Sequence, residues 1–177
     1  ANSLPCIFRW SYCRKVGRYA VKMNLSQNFN LDELCRSQIA VDCGIDNTPD
    51  SDAVVENLKL LCEKVLQPIR DHYGRPVKVS SGYRSEEINT LARGSRVSDH
   101  ILGSAADIEI PGVPNAELAQ WVLDNLDYTQ VILEFYTPGV PDSGWVHVSY
   151  KSDNLKKEAL TATKVAGKIT YTKGLVA

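Results

Sequence analysis

Long apolar runs, paired cysteines and any strong excess of charge are all missing from this chain. No stretch of its 177 residues approaches the roughly 20 apolar residues that span a bilayer, which excludes a helical membrane span. Five cysteines (Cys6, Cys13, Cys35, Cys43 and Cys62) form an odd set without a C-x-x-C pair, so neither a disulfide framework nor a zinc finger fits. Cys35 and Cys62 fall within helical apolar patterns, where a thiol acts as a small hydrophobe, and the set suggests synthesis in a reducing compartment. A net charge of −1 offers no general attraction for nucleic acid. The remainder, 44% hydrophobic and 23% charged, is that of an ordinary globular domain, which excludes disorder, collagen-like repeats and coiled coil. This length buries a substantial core without cross-links and reads as one domain, expected to be a monomer.

The charge is unevenly spread. Residues 1–22 hold Arg9, Arg14, Lys15, Arg18 and Lys22 without an acid, a local +5 that leaves −6 on residues 23–177. A secretory signal needs an unbroken apolar stretch of about 7–15 residues, and Cys6-Ile7-Phe8 is interrupted at Arg9. An organellar presequence is one reading of this basic start. The plainer one takes the single methionine, Met23, as the natural start, with 1–22 an ill-ordered basic extension and 23–177 the folded domain.

Helical periodicity dominates the first half of that domain. Asn30 caps a helix over Leu31–Cys43, stopped at Gly44. Ser51 or Asp52 caps a longer one carrying Val54, Val55, Leu58, Leu61, Cys62, Val65, Leu66 and Ile69, with a kink expected at Pro68. His72, near its end, suits the helix dipole. Beyond Pro76 the pattern becomes strand-like at 77–80, 105–110, 130–135 and 145–150. A short helix capped by Ser85, an amphipathic helix capped by Asn115, and a final hairpin turning at Ala166-Gly167 complete the chain. Helices first and a mostly antiparallel sheet afterwards predict an α+β domain.

Two of the three histidines sit in chemically suggestive contexts. In a strand over 105–110, Asp107 shares a face with Ala105 and Glu109, while Ala106, Ile108 and Ile110 point to the core. In Trp145-Val146-His147-Val148-Ser149, the histidine faces away from the two valines. Neighbouring strands can therefore set Asp107 beside His147, and Gly103 lets the loop bring His100 to both. Two imidazoles and a carboxylate form a donor set for a catalytic zinc, which takes three protein ligands and acidifies a water. On spacing alone, two unrelated surface histidines and a solvated aspartate are the plainer reading.

Ser98–Asp107 fits S-x-H-x-x-G-x-A-x-D and Trp145–Ser149 fits W-V-H-V-S; Ser80–Ser85, Glu33–Ser37 and Gly44–Pro49 add flanking matches. In these motifs the chain, from about Met23 to Leu175, resembles the zinc D-alanyl-D-alanine carboxypeptidase family, whose fold is shared with the Hedgehog signalling domain. More narrowly, the chain resembles the small carboxypeptidase-like members common in bacteriophages and their hosts. The resemblance implies zinc held by His100, Asp107 and His147. It implies a substrate- or oxyanion-binding Arg84, with Tyr83 and Ser98 beside the substrate, and peptidoglycan stem peptide as the partner. Many members place an acid three residues before the last histidine, where this chain has Gly144. Others carry a glutamate at the end of the preceding strand, and Glu134 matches that arrangement, with loop residue Asp142 the alternative base. The implied activity is hydrolysis next to D-alanine. An L-alanyl-D-glutamate or cross-bridge endopeptidase and a non-catalytic zinc- or wall-binding module are the alternatives. Made in the cytoplasm without a secretion signal, such a protein is expected to reach the wall by lysis or within a virion.

Overall fold

A computed structural model describes residues 23–176; the basic extension at 1–22 lies outside the described residues. The chain forms helices α1 (Leu31–Leu34), α2 (Gln38–Cys43) and α3 (Asp52–Leu61), a π-helical stretch at Cys62–Leu66, and α4 (Gln67–Tyr73). Strand β1 (Lys78–Ser81), helix α5 (Glu86–Leu91), strand β2 (Ala105–Glu109) and helix α6 (Asn115–Asn125) follow. Strands β3 (Gln130–Glu134), β4 (Trp145–Ser149), β5 (Glu158–Val165) and β6 (Lys168–Lys173) complete an α+β domain. The six strands form one sheet in the order β1-β2-β4-β3-β5-β6, antiparallel at every step except β3 to β5. No helix among the described residues is long and apolar enough to cross a membrane.

Strand alternation divides the sheet into two chemically distinct faces. Ala106, Ile108, Val131, Leu133, Val146 and Val148 face a single core with Leu58, Leu61, Val65, Leu66 and Ile69 of the long helix and Leu118, Ala119 and Val122 of α6. Fully burying each large aliphatic side chain contributes about 1.5–3 kcal/mol, so this face anchors the sheet. The polar residues between them are thereby left on the other face.

Three features depart from local periodicity. The helix expected over 31–43 is broken at Cys35–Ser37. Cys35 O accepts from Asn47 Nδ2 at 2.9 Å, Leu34 O accepts the Tyr83 N–H at 2.7 Å, and Ser37 caps α2 through the Ala40 N–H. Tertiary donors have taken carbonyls that a continuous helix would use. The irregularity expected at Pro68 precedes it: the wider π turn at 62–66 absorbs the missing N–H, and the proline sits in the first turn of α4, where none is needed. Asn115 is not a cap but the first residue of α6. It is buried, with Nδ2 donating to the carbonyls of Ser143 and Gly144 at 3.2 and 3.1 Å. Asn30, Ser51 and Ser85 cap their helices as expected, and Gly44 ends α2 at φ +65°.

Candidate metal centre

Strand pairing builds the site. Asp107 of β2 lies directly opposite His147 of β4, on the face away from the core. His100 arrives from the loop after α5, folded tightly by local bonds. Ser98 Oγ accepts the His100 N–H at 3.3 Å, Ser104 N–H donates to Asp99 O at 2.9 Å, and Lys151 ties Asp99 down at 2.8 Å. Gly103 closes this loop at φ +70° against α3, where a Cβ would stand 2.7 Å from the Val54 carbonyl oxygen. Only glycine suits both that conformation and that approach.

Three donor atoms converge. His147 Nδ1 is 2.9 Å from Asp107 Oδ1, His100 Nε2 is 3.3 Å from the same oxygen, and the two ring nitrogens are 3.2 Å apart. All three residues are buried, and among the described residues they form the group able to hold a metal ion. Tetrahedral zinc with bonds of about 2.0–2.2 Å separates its donor atoms by about 3.3–3.5 Å. The triangle has nearly that size already. His100 Nδ1 lies 2.6 Å from Gly82 O, a contact that requires the proton on Nδ1 and leaves the Nε2 lone pair facing the triangle. Donor chemistry, spacing and the His100 tautomer therefore fit a zinc ion, which would replace the proton that His147 Nδ1 shares with Asp107.

Charge around the triangle is strongly coupled. Burial pushes the Asp107 carboxyl up, but the charges and hydrogen bonds of His100 and His147 outweigh it and hold this acid well below the usual carboxylate range. Arg84 adds an ion pair from Nη2 to Asp107 Oδ2 at 2.7 Å, and its Nε donates to Ser81 Oγ at 2.7 Å. Burial depresses His100, only partly opposed by Asp107. His147 is raised: burial opposes its charge, but the bond to Asp107 and the Asp107, Glu134 and Asp99 charges win. Glu134, half-buried at the end of β3, is pushed up to about 7, chiefly by burial and then by Asp107, with His147 and Arg84 pulling the other way.

The structure brings some expected residues together and separates others. Glu134 sits two residues along β3 from Ile132, the residue opposite His147, on the same face, and shares the site's field. Asp142 is exposed in the loop before β4, without a described bond to the triangle. Tyr83, expected beside the substrate, is 5% exposed and packs against the core, with its backbone N–H on Leu34 O. Ser98 serves as the loop-turn residue that caps His100. Gly144, where an acid was absent, has φ +68°, and a Cβ there would run into the Glu134 carbonyl oxygen. His72 stays remote, stacked on Trp121 at 4.4 Å near the α4 terminus. Sequence reasoning missed Asn47, whose amide holds Cys35 O, Tyr83 O and the Ser85 N–H and so fixes the segment carrying Arg84. It also missed the Trp145 indole N–H, buried without a partner beside Glu134. Gly44–Pro49 was visible as a motif, but nothing local marked Asn47 as its working residue.

A sequence model of the Peptidase M15 family matches residues 27–149, a span that contains all three candidate ligands, Arg84 and Glu134. No curated protein matches the chain.

Proposed function

The chain belongs to the M15 peptidase family, and from that premise we propose that it hydrolyses a peptide bond of peptidoglycan stem peptides next to D-alanine, as a carboxypeptidase acting at the cell wall. Membership in this zinc-dependent family makes it a metallopeptidase in kind. The observation that supports hydrolysis over mere binding is a carboxylate, Glu134, on the same sheet face beside three converging donor atoms.

His100 Nε2, Asp107 Oδ1 and His147 Nδ1 would hold the zinc. When bound, zinc supplies Lewis-acid polarisation of the scissile carbonyl and a water acidic enough to react at neutral pH. Glu134 takes a proton from the attacking water onto its carboxylate and returns it to the leaving amine. Arg84 orients Asp107 by holding the second carboxylate oxygen, and the guanidinium N–H groups not engaged by Asp107 and Ser81 serve the substrate's carboxylate or developing oxyanion.

The test is digestion of purified peptidoglycan and a synthetic stem pentapeptide, read by mass spectrometry with and without chelator. Chelator-sensitive loss of one terminal alanine supports the carboxypeptidase. An internal cut makes it an endopeptidase, and no cleavage by protein with stoichiometric zinc makes it a binding module.

A further inference from the structure

The C-terminal hairpin lies beyond the segment that matches the family, yet it extends the same sheet on the side of Glu134. Its register is informative. Trp145 pairs with Glu134, Glu134 with Ala162, and Ala162 with Tyr171, so these four side chains form one row across β4, β3, β5 and β6 on the cleft face. The adjacent row runs from Asp107 through His147 and Ile132 to Leu160 and Lys173. Lys164, two residues from Ala162, shares that face. We propose that Tyr171, Lys173 and Lys164 form a substrate subsite for a carboxylate-bearing residue of the peptide, a few residues away from the bond that is cut.

Geometry, charge and exposure point the same way. At about 4.8 Å per strand, β6 lies about 14 Å from β4, the span of about four residues of extended peptide. Ala162, fully buried, puts only a methyl group between Glu134 and Tyr171, and the Glu134 charge is felt at the Tyr171 hydroxyl. Tyr171 is nevertheless 58% exposed, with Ile169 beside it on the same face at 52%. An aromatic and an aliphatic side chain so placed offer a surface for a peptide to lie on. Residues 159–177 contain Lys164, Lys168 and Lys173 and no acid, within a domain that is otherwise net negative. Neither Lys164 nor Lys173 makes a salt bridge with a described residue. Glu158, at the start of β5 on that face, is held by Lys156 at 2.8 Å and by Gln130, with the Lys173 charge reaching it more weakly. The glutamyl carboxylate of a stem peptide is a ligand of matching charge and reach.

This subsite rests on the peptidase reading, so its test separates the two. With the full zinc-loaded chain, Tyr171→Ala and Lys173→Ala should raise KM for the stem pentapeptide about 5–10-fold with kcat within about twofold, a loss typical of one or two surface contacts. A capped D-alanyl-D-alanine dipeptide, too short to reach the hairpin, should be cleaved unchanged. Amidating the glutamyl carboxylate should raise the wild-type KM by a similar factor and add little to Lys173→Ala. Lys168→Ala, on the opposite face, is the control without effect. Equal losses on both peptides, or a KM indifferent to amidation, would overturn the subsite. If the wild type cuts neither peptide, the peptidase reading alone has failed, and calorimetric binding of the pentapeptide decides the subsite. Affinity lost in Tyr171→Ala and Lys173→Ala supports it; unchanged affinity, or no binding by the wild type, overturns it.

Discussion

Among single residues, the proposed base Glu134 and its neighbour Gly144 carry the sharpest tests. A general base contributes about 10²–10⁴-fold, so Glu134→Gln should lower kcat by that factor while zinc stoichiometry, read by atomic emission, stays at the wild-type value. Asp142→Ala should leave kcat within about twofold. Because a base works only when deprotonated, kcat/KM should fall with pH below the Glu134 pKa. Burial places that pKa at about 7, and a bound dication draws it lower, so the acidic limb of the pH profile should lie at or below 7. Gly144→Asp, which restores an acid at the position many relatives use, should not rescue Glu134→Gln. It forces a side chain into φ +68° and against the Glu134 carbonyl, and should cost at least about 1–3 kcal/mol in urea unfolding.

Among the elements, the strands and most helix caps were legible, and the interruption of the first helix was not. Alternation in 105–110 and 145–150 correctly assigned Asp107 and His147 to the face opposite Ile108 and Val148, because burying one face makes the period of two unambiguous. The break at Cys35–Ser37 and the inward role of Asn115 were not legible. Both follow from hydrogen bonds to residues 12 to 49 positions away, which no local period records. Asn47 is the clearest of these long-range ties. Asn47→Ala leaves two carbonyls and an N–H unpaired in a buried setting, and should lower unfolding free energy by about 2–4 kcal/mol in urea titration. A loss below about 1 kcal/mol would mean that water replaces the amide there.

At the scale of the whole molecule, the donor triangle ties β2, β4 and the loop after α5 to one point, so metal binding and folding should be linked. Zinc at about 100 times its dissociation constant should add about 2.7 kcal/mol. For a domain of this size that raises Tm by about 5–10 °C in calorimetry, reversed by chelator and absent in His147→Ala. An unchanged Tm in zinc would count against the site. The sequence by itself determined the fold class, the strand faces and the residue types able to bind zinc, because each rests on local periodicity or side-chain chemistry. It also carried the motifs that place the chain near its family. Only the tertiary structure decided that β4 inserts between β2 and β3, setting Asp107 against His147, and that Tyr83 turns into the core. It alone laid the last hairpin alongside Glu134. Each of these depends on contacts between distant segments, whose free energy comes from jointly burying one face of the sheet rather than from the preference of any segment alone.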